Sequence, residues 1–105
     1  MRVIAKPRLR DFWTKYRNAE TPLKTWWKIV RKARWANIQD VRLPFPHADA
    51  VELKCGLVVT VFNIGGNKYR LVTTIAYEYH TVYIKAVLTH EQYDSQRWKV
   101  QLCNE

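Results

Sequence analysis

Between two runs rich in β-branched and apolar residues, Leu57 to Phe62 and Lys68 to Tyr77, the chain carries Ile64-Gly65-Gly66-Asn67. Adjacent glycines reach positive φ without steric cost, which a tight turn between antiparallel strands demands. The pair predicts a β-hairpin and commits the second half of the chain to a sheet. Val51 to Leu53 extends the strand pattern upstream, with Gly56 a bulge or tight turn. Glu78 to Thr81 reads as the next turn and Val82 to Leu88 as a further strand. Thr89 then suits the N-cap of a short helix over His90 to Ser95, with Gln92 completing a capping box.

The first half has a different period. Met1 to Ala5 reads as a short strand. Pro7 fits the first turn of a helix, where its missing N–H costs nothing. Leu9, Phe12, Trp13 and Tyr16 recur at helical spacing as far as Asn18. Thr21 as N-cap and Pro22 at the first helical position predict a second helix with the stripe Leu23, Trp26, Trp27, Val30 and Ala33. Lys24, Lys28, Arg31 and Lys32 fill its remaining face. A link of about four residues makes the two helices an antiparallel hairpin. Asn37 caps one helical turn around Ile38 to Leu43, which Pro44 and Pro46 stop.

The expected order is β-α-α-β-β-β with a short C-terminal helix. It describes one α+β domain over residues 1–105, a helical hairpin packed on one face of an antiparallel sheet whose other face stays open. Trp13, Trp26 and Trp27 fall on the core stripes. Trp35 and Trp98 do not, and read as surface aromatics for RNA or a partner.

Composition supports one core: 105 residues, of which 48% are hydrophobic. Eighteen Lys and Arg against nine Asp and Glu leave a net charge of +9, which attracts a polyanion, RNA before an acidic protein or an anionic membrane. Cys55 and Cys103 lie far apart with no metal-ligand spacing, and read as free thiols of a reduced cytoplasmic protein. No apolar run suits a membrane span, and the N-terminus lacks the apolar region of a signal peptide.

Gly-rich phosphate loops, GxSxG, HExxH and CxxC patterns are absent, and His47, His80 and His90 are scattered, so no metal or other cofactor is expected. Metal-free RNA cutting asks for less: a base for the ribose 2′-OH, cations for the phosphorane and an acid for the leaving oxygen. Strand alternation puts Lys68, Arg70 and Val72 on one face, with Tyr69 and Leu71 on the other. Tyr83 and Lys85 share a face of the next strand. If the registers align, Arg70 and Lys85 form a basic cluster in mid-sheet; the same charges also suit an ordinary solvated face. His90, Tyr93 and Asp94 fall on one face of a helical turn, where His90 suits acid–base work. The alternative pairs Asp94 with an arginine and packs Tyr93 in the core.

The segments Phe62-Asn63-Ile64-Gly65-Gly66-Asn67-Lys68-Tyr69-Arg70-Leu71-Val72, Val82-Tyr83-Ile84-Lys85 and Leu88-Thr89-His90-Glu91-Gln92-Tyr93-Asp94 resemble the HigB family of toxins. The helical half matches that family only in pattern. The resemblance implies a RelE-like fold and an mRNA endonuclease, the toxin of a type II toxin–antitoxin pair, acting on messages engaged by the ribosome. It implies no cofactor, and a HigA-like antitoxin as neutralising partner. Carried over by motif, Arg70 and Lys85 stabilise the phosphate and transition state. His90 is the preferred general acid or base, with Tyr93 the alternative, and Asp94 orients His90 or an arginine. Asn63, Asn67 and Lys68 are RNA-binding candidates, the two asparagines also fitting a conformational role. Lys24, Lys28, Arg31 and Lys32 are docking candidates for ribosomal RNA. The rival reading is a non-catalytic RNA- or ribosome-binding module.

Overall fold

The structure, a computed structural model, describes residues 1–104. Strand β1 (Arg2–Ile4) leads into α1 (Lys6–Lys15), a 3-10 turn (Arg17–Ala19) and α2 (Glu20–Lys32). After α3 (Ile38–Arg42) come β2 (Asp49–Glu52), β3 (Val58–Ile64), β4 (Tyr69–Ala76) and β5 (Thr81–Thr89). Two short helices, α4 (His90–Asp94) and α5 (Arg97–Cys103), close the described chain. The five strands form one sheet in the order β1-β5-β4-β3-β2. The fold is α+β, as expected, but the sheet is mixed: β2 to β5 are antiparallel, while β1 runs parallel to β5 at its edge.

The glycine pair makes the predicted hairpin. Gly65 and Gly66 take φ of 63° and 69°, and the turn sets Ile64 opposite Tyr69 and Asn63 opposite Arg70. From that register the two faces follow. Phe62 and Ile64 of β3, Leu71 of β4, and Val82 and Ile84 of β5 face the helical hairpin, whose Leu9, Leu23, Trp26 and Val30 complete the main core. Trp26 meets Phe62 edge to face at 5.4 Å.

The opposite face is not open, against expectation. Val59, Val61 and Val72 point there, and α5 covers them with Trp98 and Leu102. Three apolar side chains on an antiparallel face need a cover, and the chain beyond Ser95, which carries no clear periodic signal, supplies it. Trp98 is therefore core rather than a surface aromatic, and so is Trp35, stacked against Phe62 and edge-on to Phe45. Two helix boundaries also move. Helix α1 stops at Lys15 because the chain tightens into the 3-10 turn, and α2 begins at Glu20, so Thr21 lies inside the helix and does not cap it. Asn37 caps α3 as predicted, its side chain accepting from the Asp40 amide at 3.1 Å. Among the described residues no helix is long and apolar enough to cross a membrane.

Cys55 and Cys103 are joined in a disulfide, which overturns the reading of free thiols and the compartment argument built on it. The β2–β3 turn and the end of α5 meet only through sheet packing, which spacing does not reveal. The bridge pins the covering helix across 48 residues of chain, a loop whose closure is worth at most about 4 kcal/mol. Replacing Cys55 and Cys103 together by Ser should lower the unfolding free energy by about 2–4 kcal/mol in urea titration. Reductant should shift the wild-type midpoint in the same direction and leave the double variant unmoved.

Candidate active site

The hairpin turn, the head of β4 and helix α4 converge at one end of the sheet. Strand alternation sends Tyr69 into the helical core and Arg70 to the α5 side. Arg70 is half-buried and anchored: Nη1–H donates to the carbonyls of Asn67 and Tyr69, both at 3.1 Å. Its guanidinium lies 5.5 Å from the centroid of the Tyr93 ring. Asn63, directly across from Arg70, shares the face and is half-buried.

Helix α4 is set by the predicted capping box. The Thr89 hydroxyl accepts from the Gln92 amide at 3.2 Å, and the Gln92 carboxamide accepts from the Thr89 amide at 3.0 Å. Tyr69 pairs with Thr89 across the sheet, and the His90 amide donates to the Lys68 carbonyl at 3.1 Å, so α4 starts beside the head of β4. Within α4, His90 Nδ1 sits 3.0 Å from Asp94 Oδ2. Of the two partners expected for Asp94, the structure places His90 beside it. Tyr93 is not fully core: half-buried, it stacks on Trp98 with centroids 5.3 Å apart and planes 18° from parallel.

Burial pushes the Tyr93 phenol above its ordinary range, and Asp49 and Asp94 add to this, while Arg70 pulls the other way. At neutral pH the phenol is a proton-bearing group beside a fixed cation. The sequence reading missed Asp49. It heads β2 and reaches this end of the sheet by pairing with Val61, a long-range register that no local spacing displays.

Lys85 stands apart. Val72 pairs with Ala86 and Thr73 with Ile84, so Lys85 occupies a bulge with no residue opposite. Arg70 faces Leu88, which leaves Lys85 three residues away, roughly 10 Å along the strand, and the two do not form the expected pair side by side. Asn67 and Lys68 are exposed in the turn. Lys24, Lys28, Arg31 and Lys32 are exposed on α2, on the helical-hairpin side of the sheet. There Trp13 and Trp27, read as core, are only partly buried, and with Lys6, Arg10, Lys24 and Lys28 they line a cleft between α1 and α2. Lys6 Nζ lies 3.8 Å and the Arg31 guanidinium 4.6 Å from the Trp27 ring centroid.

This end of the sheet thus holds a backbone-anchored cation against a neutral phenol, with an imidazole–carboxylate pair on the same short helix as the phenol. Absorbance titration of the phenol should show Asp49→Asn lowering the Tyr93 pKa and Arg70→Ala raising it. The folded state resists ionising this phenol. Its contribution to stability is therefore complete below the ordinary tyrosine pKa and is lost as pH rises through the folded value.

Residues 19–96 match the family described as HigB_toxin, RelE-like toxic component of a toxin-antitoxin system. The chain is 31% identical over 94 residues to the mRNA interferase toxin HigB of Escherichia coli (strain K12), covering 90% of this chain and 88% of the relative. The mRNA interferase HigB of Shigella flexneri matches to the same extent. The mRNA interferase HigB of Escherichia coli O6:H1 is 22% identical, over 90% of this chain and 89% of its own length. The chain belongs to the HigB family, the RelE-like toxic component of a toxin–antitoxin system.

Proposed function

We propose that this toxin cleaves messenger RNA, as its relatives' names state of them, and that it does so without a metal, by attack of the ribose 2′-OH on the adjacent phosphate. The observation that carries this is the Arg70–Tyr93 contact at 5.5 Å, with the His90–Asp94 pair at 3.0 Å on the same short helix as Tyr93. With Nη1 tied to the backbone, the guanidinium holds one orientation and presents its remaining N–H groups to a phosphate. His90, held by Asp94, takes the 2′-hydroxyl proton. Tyr93, neutral at physiological pH, donates to the departing 5′-oxygen. Lys85, half-buried on β5, and Lys68, in the turn, lend positive potential along the strand. Asn63 and Asn67 flank the path of the RNA.

The remaining charge serves docking. Lys24, Lys28 and Arg31 line or border the cleft on the helical hairpin, with Lys32 beside them, and this surface suits ribosomal RNA, so cleavage is of messages held on the ribosome. The action lies in the cytoplasm, where messages are translated, and a HigA-like protein is the antitoxin.

Brief induction should halt growth and produce new 5′ ends inside coding regions, mapped by sequencing. Arg70→Ala and His90→Ala should each lower cleavage by about 100-fold or more and restore growth, with circular dichroism unchanged. Growth arrest with intact messages would instead point to a binding module that blocks translation without cutting.

A further inference from the structure

We infer that Trp98, on the last helix, is a positioning residue for the cleavage centre, holding the Tyr93 ring and backbone in place beside Arg70. The inference rests on the reading of Tyr93 and Arg70 as groups that act on the RNA. Trp98 touches Tyr93 twice. Its ring stacks on the phenol ring at 5.3 Å, and its indole N–H donates to the Tyr93 carbonyl at 3.0 Å. One buried side chain thus fixes both the ring and the peptide that carries it.

Helix α4 needs such a hold. It has five residues, far fewer than a helix requires to persist without outside contacts. The capping box secures its start, at Thr89 and Gln92. Tyr93 lies at the other end, and Gln96 follows in the left-handed region, where the chain reverses into α5. There the Tyr93 carbonyl also accepts from the Gln96 amide at 3.3 Å and from Gln96 Nε2–H at 3.4 Å, and Trp98 is what ties this turn to the core. Trp98 is itself well supported: it is 3% exposed, packs with Leu102 on Val59, Val61 and Val72, and rides on a helix tied to the β2–β3 turn by the Cys55–Cys103 bridge. The family match ends at residue 96, so the brace comes from chain outside the matched segment.

A tryptophan that only fills the core would affect stability and nothing more. A positioning residue affects the chemical step in protein that is still folded. The test uses the full chain, with message cleavage measured at a temperature where all variants show native circular dichroism. Trp98→Leu removes the stack and the donor, and should lower kcat about three- to tenfold with KM within about twofold of wild type. Trp98→Phe keeps a stacking ring and should recover part of the loss. In a Tyr93→Phe background, Trp98→Leu should cost much less than it does in wild type, because the phenol it positions is gone.

An unchanged kcat in folded Trp98→Leu, or an equal loss in both backgrounds, would overturn the inference. Should Trp98→Leu fail to fold, Trp98→Phe decides. Its absorbance titration must then show a displaced Tyr93 pKa together with reduced kcat, and wild-type values of both would overturn the inference. Full activity of Tyr93→Phe with Trp98 intact would remove the premise, an outcome read independently of the Trp98 variants.

Discussion

Everything at the candidate site depends on the register of β4, the middle strand of the sheet. Its faces are buried under different covers, the helical hairpin on one side and α5 on the other. Side chains alternate with period two, so a slip of one residue would drive Arg70 into the hairpin core and expel Leu71. Burying an unpaired guanidinium among Leu9, Leu23 and Trp26 costs far more than any new packing returns, so the slipped state is excluded. The four-residue turn from Gly65 to Lys68, entered through two glycines at positive φ, fixes that register locally by setting Ile64 opposite Tyr69. The core and the cationic site are thus specified by the same constraint.

Charge is distributed in two regimes. On the outer face of the hairpin, lysines and arginines lie over indole rings, where cation–π contact organises them without removing them from water. That arrangement favours long-range attraction of a phosphate backbone, which is screened by salt. At the sheet end, Arg70 is partly desolvated and tied to backbone carbonyls, so its field acts at short range on whatever is bound there. A basic toxin needs both, one for encounter and one for chemistry. The sheet separates them, because the hairpin occupies one face and the Arg70 side chain the other.

Much of this was legible in the sequence because the signals were local. Gly65-Gly66 marked the hairpin, strand alternation set the face of Arg70, and Thr89 with Gln92 marked the capping box that lines up His90, Tyr93 and Asp94. Features set by distant packing were not legible. Asp49 reaches Tyr93 only through the β2–β3 register, Lys85 is displaced by a bulge that no composition marks, and Cys55 finds Cys103 only once α5 has docked. The misplacing of Trp98 on the surface has the same origin. With no helix expected after Ser95, an isolated tryptophan had no core to join, whereas the valines on the far face of β3 and β4 were the real signal that a cover must follow.

That cover changes what kind of site this is. Without α5, the sheet end would carry a more solvated arginine and a five-residue helix without the stack and hydrogen bond that Trp98 gives Tyr93. With it, the phenol stacks on a buried indole, the indole packs on three valines, and the helix is crosslinked to the β2–β3 turn. The rigidity of the core reaches this end through the Trp98–Tyr93 stack and the indole hydrogen bond to the Tyr93 carbonyl. Preorganisation at this end of the sheet comes from packing. The Cys55–Cys103 bond adds a covalent restraint on the helix that carries Trp98. In a reducing compartment that restraint is lost, and the brace then rests on the packing of Leu102 and Trp98 alone.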